Sequence, residues 1–411
     1  MMEGWKTDKF KNQIQYKSGY TWSKEQELKT QEPNSVRVLT VTNIQKELDL
    51  SEELYLQGVS EKDRKEKSVS KDWCIAVSSN GNRKRIGNAV FIKDDTDYLF
   101  ASFLTAFKPK DDSDILPDYF FRWLSSHVVQ ERITSVSEGT TGLGNLDIRY
   151  LRNMDIHFPE KNEQTAIADI LSKVDEAIAA VQGSIAAAER LKKSLMQNFL
   201  TGRMKPDGTL RKEDEFYVDE KFGKVPKGWE VKRLGSLFNI KAGGDLQENY
   251  FSPIKDEQHN YPVFSNSLDN KGLYGYTSNP RFFADESITI TGRGGVGHPE
   301  YRQGPYDAII RLISLIPLQS DAVDCRYISY YIGHYVHFAL ESTGVPQLTC
   351  PKVFATKIIL PTNKHEQESI SKLIYNIDTE VEQKQQRIAT LERLKKSLMQ
   401  NLLTGKVKVK K

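Results

Sequence analysis

The first candidate for chemistry is a glycine-rich stretch at 292–299, Gly-Arg-Gly-Gly-Val-Gly-His-Pro, whose glycine spacing is that of a phosphate-binding P-loop. A P-loop also requires Lys followed by Ser or Thr, but His298 and Pro299 occupy those positions. The sequence contains no Asn-Pro-Pro-aromatic motif either, which would line the pocket of an enzyme that methylates an amino-bearing base. The glycine-rich stretch is therefore not interpreted as a nucleotide site.

A second candidate is a metal site built from Cys325, His334 and His337, residue types that bind Zn²⁺. The same residues lie in an aromatic-rich stretch, 325–338, that has the character of a helix. Packing and exposure on that helix explain the His-x-x-His spacing, so we favour the helix over a metal site. Nothing else in the sequence predicts catalysis, and we expect the chain not to be an enzyme.

Short extended runs alternate with polar loops in both halves of the chain. The runs lie at 36–43, 73–77, 88–92 and 287–291, and the loops at 78–85, 264–267 and 291–298. The loops carry Ser, Asn, Arg and Lys, which read base edges and bind phosphates in DNA-binding proteins. Ordinary solvated turns have the same composition, so composition alone leaves DNA reading and simple exposure equally open.

The bulk composition excludes several classes of protein. A length of 411 residues predicts two or three domains, and three scattered cysteines do not indicate a disulfide framework. No apolar run is long enough for a membrane span and no secretory leader is recognisable, so we expect a cytoplasmic protein. The net charge of +3 predicts no general affinity for nucleic acid, and any such surface must be local.

The sequence is internally duplicated. Its matching segments are Glu189–Asn198 with Glu392–Asn401 (identical decapeptides 203 positions apart), Glu163-Gln164 with Glu366-Gln367, Pro159 with Pro361, and Gly-Trp at 4–5 with Gly-Trp at 228–229. Because these matches occur in the same order in both halves, we predict the arrangement globular region, helix, globular region, helix. The predicted boundaries are 1–159, 160–203, 204–361 and 362–411, the last including a basic tail.

The two helical segments carry the seam of a coiled coil. Apolar residues recur at alternating steps of three and four positions, at Ile167, Leu171, Val174, Ile178, Val181, Ile185 and Ala188 and at Ile370, Ile374, Ile377, Val381, Ile388 and Leu391. Gly202 and Gly405 stand where C-terminal glycine caps are expected. We predict that the two helices pair antiparallel about a pseudo-two-fold axis. Packing of each helix on its own globular region is the alternative.

The seam does not explain why exposed positions of the decapeptide are also identical, because a seam requires only apolar character. Identical outer surfaces predict that the same partner surface docks twice, whereas a recent duplication without constraint is the alternative. The candidate docking residues are Lys192, Lys193 and Gln197 in the first copy and Lys395, Lys396 and Gln400 in the second.

This arrangement resembles a known family, the specificity (S) subunits of type I restriction–modification systems. The resemblance covers essentially the whole chain. It is carried by the duplicated layout, by the Pro…Glu-Gln start of each helix, and by the Leu-Lys-Lys-Ser-Leu-Met-Gln…Leu-Thr-Gly end of each helix. The segment 261–276, with Tyr-Pro-Val-Phe-Ser-Asn-Ser and Gly-Leu-Tyr-Gly-Tyr, is similar to a target-recognition domain of that family, and 37–43 takes its place in the first half.

The resemblance implies an α+β fold with two target-recognition domains separated by antiparallel helices. It implies that each domain reads one half of a bipartite, asymmetric site in double-stranded DNA, and that the helices set the spacing. Two methyltransferase subunits and the restriction subunits are the implied partners. S-adenosylmethionine, ATP and Mg²⁺ are expected on those partners, with no cofactor in this chain.

No base-contacting residue is transferable by motif, so the DNA candidates are chosen by chemistry. They are Thr42, Asn43, Arg83, Lys84 and Arg85 in the first half and Asn266, Arg293, His298 and Arg302 in the second. A competing hypothesis is a coiled-coil scaffold protein without DNA specificity. A single chain that combines modification with recognition would need the methyltransferase motif that the sequence lacks.

Overall fold

The computed structural model describes residues 4–137, 143–338 and 347–409, and the chain divides into two compact units. The first unit comprises Met1–Gln182 and Gln386–Lys411, and the second comprises Gly183–Gln385. The division falls inside both long helices, so each unit holds one globular region with parts of both helices. The predicted boundaries separate the globular regions from the long helices, whereas each compact unit combines a globular region with parts of both helices.

Twelve strands are described in each unit, most of them short. The strands of the first unit are β1 (Lys6–Lys9), β2 (Ile14–Ser18), β3 (Glu27–Leu28), β4 (Val36–Leu39), β5 (Tyr55–Leu56), β6 (Cys74–Val77), β7 (Ser79–Asn80), β8 (Ala89–Phe91), β9 (Leu99–Phe100), β10 (Leu104–Pro109), β11 (Gly144–Asn145) and β12 (Asp155–Phe158). Those of the second are β13 (Phe216–Asp219), β14 (Gly223–Pro226), β15 (Trp229–Arg233), β16 (Phe238–Ala242), β17 (Phe251–Ser252), β18 (Tyr261–Phe264), β19 (Leu273–Thr277), β20 (Glu286–Ile290), β21 (Pro299–Gln303), β22 (Asp307–Ala308), β23 (Ile313–Pro317) and β24 (Lys357–Pro361).

Besides the strands and six short 3-10 helices, two very long α-helices and eight shorter ones are described. They are α1 (Phe10–Gln13), α2 (Glu61–Lys67), α3 (Pro117–Leu124), α4 (His127–Val136), α5 (Ile148–Asn153), α6 (Lys161–Phe199), α7 (Leu234–Leu237), α8 (Cys325–Tyr335), α9 (Cys350–Ala355) and α10 (Lys364–Leu402). The predicted helix at 325–338 and the predicted extended runs are confirmed by α8 and by β4, β6, β8 and β20. No described helix is both long and apolar enough to cross a membrane.

Both units contain the same pair of four-stranded sheets. One has the strand order β2-β10-β6-β8 in the first unit and β16-β23-β20-β21 in the second, all antiparallel. The other has the order β3-β5-β4-β9 and β17-β19-β18-β22, with a parallel pair at its end. β4 therefore occupies the place of β18, which agrees with the expectation that 37–43 takes the place of the 261–276 segment in the first half. The predicted internal duplication is confirmed at the level of topology.

The long helices lie within the predicted segments 160–203 and 362–411, and their seam positions are buried or half-buried. Inside the first unit Asp175 of α6 contacts Lys395 of α10, and inside the second Ser184 contacts Lys384. In the second unit Lys192 of α6 also pairs with Asp378 of α10, so a rising residue number on one helix faces a falling number on the other and the helices run antiparallel. Each helix is followed by a glycine with positive φ, 69° at Gly202 and 62° at Gly405, as predicted for the caps.

The ends of the repeated segments are packed in the hydrophobic cores. Leu402 and Leu403 join the core of the first unit, which includes Ile167 and Leu171. Phe199 and Leu200 join the core of the second, which includes Ile370 and Ile374. The apolar part of the repeat is therefore explained by packing, because each copy completes a core of the same design.

A buried glutamine anchors the start of each long helix. The amide group of Gln164 accepts a hydrogen bond from the Leu116 backbone N–H (2.8 Å) and donates to the backbone carbonyls of Asp114 and Pro159 (2.8 Å each). Gln367 does the same in the second unit, accepting from the Asp324 N–H at 2.8 Å and donating to the Ala322 and Pro361 carbonyls at 3.3 and 2.8 Å. Glu-Gln after proline is thus a structural motif that fixes the helix on its domain.

Replacing Gln164 by Ala is expected to lower the free energy of unfolding of the first unit by about 3 kcal/mol or more. The change leaves one backbone N–H and two carbonyls buried without partners, at about 1–3 kcal/mol for each unsatisfied group. Calorimetry of the full chain measures it, with Gln182→Ala, an exposed glutamine of the same helix, as the matched control. A loss equal to that of the control would contradict the anchoring role.

Candidate nucleic-acid interface

Three loops of the second unit are tied together by one side chain. The Asn266 amide accepts a hydrogen bond from the Gly292 backbone N–H at 2.7 Å and donates to the Ile310 carbonyl at 2.5 Å. It thereby joins the loops 265–272, 291–298 and 309–312, which we call the second-unit loop cluster. Asn266 was predicted to contact DNA, but both ends of its amide are used internally.

Four non-glycine residues of this cluster have positive φ. They are Asn270 (47°), Lys271 (52°), Ile310 (53°) and Arg311 (60°). For a β-branched residue such as Ile310 this conformation is strained, and such strain costs on the order of 1–3 kcal/mol and concentrates at functional sites. Ile310 is also 51% exposed, so burial of its side chain does not offset the strain.

Arg302 lies beneath the cluster as a support. Its side chain donates to the Thr289 hydroxyl (2.9 Å) and to the Lys271 carbonyl (2.7 Å), and its guanidinium lies 3.7 Å from the centroid of the Phe264 ring. Burial lowers the pKa of Arg302 to about 10, so it stays cationic at neutral pH. Because Arg302 is only 6% exposed and its donors are used internally, its role in this structure is that of a positioning residue, and DNA contact stays a prediction for it.

Three exposed cations remain on the surface of the loop cluster: Lys271, Arg293 and Arg311. Arg293 was predicted from the sequence, whereas Lys271 and Arg311 were missed. The missed residues owe their place to left-handed backbone and tertiary contacts, and Asp-Asn-Lys-Gly at 269–272 was the only local turn signal. His298 is exposed as well, with Nε2 at 3.2 Å from the Glu300 carboxylate.

The first unit ties equivalent loops together with a different residue. The 78–88 loop between β6 and β8 corresponds to the 291–298 loop between β20 and β21. Arg85 from this loop donates to the carbonyls of Val41 (2.9 Å) and Ile44 (2.6 Å), which lie in the turn after β4. In both units, therefore, a loop that follows a strand of the parallel pair (β4 with β9, or β18 with β22) is held against the loop that connects β6 with β8 or β20 with β21.

Asn43 shapes the turn after β4 from inside. Its amide accepts from the Thr40 N–H at 2.8 Å and donates to the carbonyls of Asp49 (2.7 Å) and Glu52 (3.1 Å), and the residue is 2% exposed. Asn43 therefore has a structural role in this turn, and DNA contact stays a prediction for it. Arg85 likewise has a structural role, while the exposed candidates of the first unit are Thr42, Arg83 and Lys84.

A model of the type I restriction modification DNA specificity domain matches residues 2–190 and 226–393, so it covers each half of the chain once. The chain belongs to this family. The matched ranges contain both loop systems described above and most of both long helices. The resemblance read from the duplicated helices and their flanking motifs is therefore confirmed, and the chain is a specificity subunit of the type I restriction–modification class.

Curated relatives agree with this assignment, and a solved structure shares the fold. The putative type I restriction enzyme MjaX specificity subunit of Methanocaldococcus jannaschii is 25% identical over 389 residues, covering 91% of this chain and 87% of the relative. The MjaVIII specificity subunit of the same organism is 25% identical over 315 residues, 71% of each chain. A crystal structure of the type I restriction–modification S subunit from M. genitalium matches with a TM-score of 0.61 at 17% identity over 97% of this chain and 96% of that chain, a likeness in fold.

Two lysines of the repeated decapeptide form ion pairs inside this specificity subunit. Lys192 lies 2.5 Å from Asp378, which also accepts a hydrogen bond from the Tyr330 hydroxyl at 2.8 Å. Lys395 lies 2.5 Å from Asp175. Identity at these two positions is therefore explained by duplicated helix–helix pairs. The other docking candidates, Lys193, Gln197, Lys396 and Gln400, are exposed, and docking stays a prediction for them.

The remaining candidates for chemistry are structural. Cys325 is fully buried in the second core, and burial raises the pKa of its thiol, which disfavours the thiolate that a metal requires. His334 packs edge-on against Tyr335 with ring centroids 4.6 Å apart. Among residues 4–137, 143–338 and 347–409, no group of three His, Cys, Asp or Glu side chains is placed to hold a metal ion.

Asp175 links the long helices to the globular region of the first unit. Burial alone would raise the pKa of Asp175, but hydrogen bonds and charge from Lys395 and Arg122 outweigh burial and lower it below its ordinary value. A carboxylate with a lowered pKa in the folded state stabilises the fold above its unfolded pKa. That stabilisation is lost as the pH falls through the folded pKa.

Asp175→Asn is therefore expected to destabilise the first unit by about 1–3 kcal/mol at pH 7. The difference in free energy of unfolding between the variant and the unsubstituted chain should shrink as the pH falls below about 4, where the aspartate of the unsubstituted chain becomes protonated. Chemical denaturation at a series of pH values measures both effects. Asp169→Asn, an exposed position on the same helix, is the control. A deficit that is constant with pH would refute the charged pairing.

Proposed function

We propose that this chain is the non-catalytic specificity subunit of a type I restriction–modification complex, and that each globular region reads one half of a bipartite, asymmetric site in double-stranded DNA. The observation that carries the proposal is the pair of equivalent loop systems, one on each unit, each with exposed cations on a rigid base. Membership of the specificity family supports the same conclusion. Different side chains on the two loop systems suit two different half-sites.

The second-unit loop cluster has the features that sequence reading requires. Lys271, Arg293 and Arg311 supply phosphate and guanine-edge chemistry, and Asn266 and Arg302 hold the loops in place so that little ordering is needed on binding. In the first unit Arg83, Lys84 and Thr42 are the corresponding exposed residues, and Arg85 holds their base. Phosphate contacts position each domain, and base-edge contacts specify the sequence.

The long helices are proposed to set the spacing between the half-sites and to dock two methyltransferase subunits. Their paired seams and the ion pairs at Asp175 and Asp378 support a stiff spacer. The exposed identical residues Lys193 and Lys396, with Gln197 and Gln400, are the proposed docking contacts. S-adenosylmethionine is assigned to the methyltransferase subunits, and ATP and Mg²⁺ to the restriction subunits. The complex is proposed to act on DNA in the cytoplasm.

Methylation sequencing of single DNA molecules from cells with and without this gene tests the function. We expect methylation at one split motif to depend on the gene and to disappear when it is deleted. The two blocks of specified bases in that motif are the half-sites, and the unspecified bases between them give the spacing. An unchanged methylome in cells that express the methyltransferase subunits would leave the scaffold hypothesis as the better explanation.

A further inference from the structure

A tryptophan, a glutamate and an arginine form a closed cluster in the second unit. The Arg211 guanidinium donates to the Gly202 carbonyl at 2.8 Å, forms an ion pair with Glu366, and lies over the Trp229 ring at 5.6 Å from its centroid. The Trp229 indole N–H donates to the same Glu366 carboxylate at 3.2 Å. The Arg211 side chain is 8% exposed, so this cation is held almost entirely by protein atoms.

The first unit contains the same tryptophan and glutamate at matching places. Trp5 precedes β1 as Trp229 begins β15, and Glu163 lies in the first turn of α6 as Glu366 lies in that of α10. Here, however, Trp5 Nε1 and Glu163 Oε1 are both buried and have no hydrogen-bond partner. No described residue forms an ion pair with Glu163. Among the residues that the structure describes, the cluster therefore has its anionic and aromatic parts but no cation.

The chain leaves both long helices along the same path. Met204 donates its backbone N–H to the Asn198 carbonyl at 3.1 Å, and Val407 donates to the Asn401 carbonyl at 3.3 Å. In the second unit this path continues to Arg211 and then to the β13–β14 hairpin. Under the 203-residue repeat, no described residue of the first unit corresponds to Arg211 or to that hairpin.

A cleft of about 1360 Å³ lies where the hairpin would pack. Its lining includes Trp5, Thr7, Asp155, His157 and Leu403, all of the first unit. Their counterparts in the second unit are residues of β15, β24 and the end of α6. The β13–β14 hairpin lies beside β15 and β24 in the second unit. The Tyr217 hydroxyl donates to the Trp229 carbonyl at 3.4 Å, and backbone hydrogen bonds, helped by the charge of Lys357, lower the pKa of Asp219.

We propose that this cleft of the first unit binds an arginine-bearing polypeptide segment of a partner protein. Its guanidinium would lie on the Trp5 ring, which lines the cleft, and would reach the buried Glu163 carboxylate, which does not. The second unit shows that the chain itself fills the equivalent position with an arginine. Glu163 disfavours a phosphate backbone at this point, so the occupant is a polypeptide rather than a nucleic acid. The proposal does not depend on the function proposed above.

A fluorescently labelled peptide of residues 203–226 tests the proposal on the full chain. It contains Arg211 and the β13–β14 hairpin, and its own site in the second unit is already filled. We expect it to bind the unsubstituted chain in a fluorescence anisotropy titration. Binding should weaken roughly tenfold to hundredfold with the peptide carrying Arg211→Ala, and by a similar factor with the Glu163→Gln chain, since each change removes a charged hydrogen bond.

Two control variants separate this result from the alternatives. Glu176→Gln removes an exposed charge from the same helix and should leave binding unchanged. Glu366→Gln tests whether the peptide instead displaces the chain's own 203–226 segment from the second unit. Peptide binding that weakens with Glu366→Gln but not with Glu163→Gln would overturn the proposal. So would the absence of binding, or binding that ignores both Arg211→Ala and Glu163→Gln. Circular dichroism confirms that each variant is folded.

Discussion

Replacing Lys271, Arg293 and Arg311 together by Ala is expected to abolish methylation at the motif that the complex recognises, through loss of one half-site. Each residue is an exposed cation on the second-unit loop cluster, and each contact to a phosphate or a base edge contributes about 1–3 kcal/mol. Three such contacts predict a loss of at least a hundredfold in DNA affinity at low salt. Each cation that contacts a phosphate releases about one counterion. The plot of log affinity against log salt concentration should therefore become less steep, by up to about three units of slope.

Binding of the assembled complex to DNA, measured against salt concentration, checks this result. The matched control is Lys221→Ala with Lys224→Ala and Lys227→Ala, which removes three exposed lysines around the β13–β14 hairpin of the same unit. An equal loss in both variants would mean that net charge, rather than the loop cluster, drives binding. Selection of binding sites from random DNA should show a loss of base preference in one half-site only. Loss of base preference in both half-sites would contradict independent recognition by the two globular regions.

The first unit provides the complementary experiment. Arg83→Ala with Lys84→Ala is expected to relax the other half-site and leave the second-unit half-site intact. Arg85 is unsuitable for this purpose because it holds the Val41 and Ile44 carbonyls, so its removal would disturb the loop itself. The same reasoning excludes Asn43 and Arg302 as tests of DNA contact.

Inserting seven residues into both long helices, after Gln182 and after Gln385, is expected to lengthen the gap between the half-sites by about three base pairs. One heptad adds about 10.5 Å of helix at about 1.5 Å per residue and keeps the seam in register. The DNA rise of about 3.4 Å per base pair converts that length to about three. The two positions correspond under the 203-residue repeat, and both lie where the compact units divide.

Methylation sequencing of cells that express the lengthened chain reads the new gap directly. The half-site sequences should stay unchanged, because neither loop system is altered. Four residues inserted in α6 alone break the register of the seam and serve as the control, with loss of methylation expected. An insertion near Leu200 would be a poor test, since that residue is completely buried in the second core. An unchanged gap after the paired insertion would refute the spacer role.

Much of the fold was predictable because its signals are local. The seam positions of α6 and α10, the glycine caps and the strands β4, β6, β8 and β20 depend on periodicity and turn residues within a few positions. The duplication was visible because identical decapeptides follow matching Glu-Gln pairs. Gln164 and Gln367 belong to the motif that the sequence displayed, but their buried amides and backbone partners became apparent only in the folded chain.

The DNA candidates show the limit of composition as a guide. Arg, Asn and Lys in loops are equally suited to contacting DNA and to holding loops together, and the choice depends on which carbonyl lies within reach. Arg302 and Asn43 point inward and support neighbouring backbone, whereas Arg293 remains outside. Arg311 was missed because its local sequence carries no turn signal, and Lys271 was missed because the turn signal at 269–272 does not show that its side chain lies beside Arg293 and Arg311.

The sequence by itself determined the architecture of this protein: two similar globular regions, two long helices with a continuous seam, and membership of the specificity family. Only the tertiary structure decided which polar residues are free to act. Lys192 and Lys395 were indistinguishable from Lys193 and Lys396 in the sequence, yet packing pairs the first two with Asp378 and Asp175. The physical reason is that apolar periodicity is a property of one segment, whereas an ion pair or a buried hydrogen bond depends on how distant segments are brought into register.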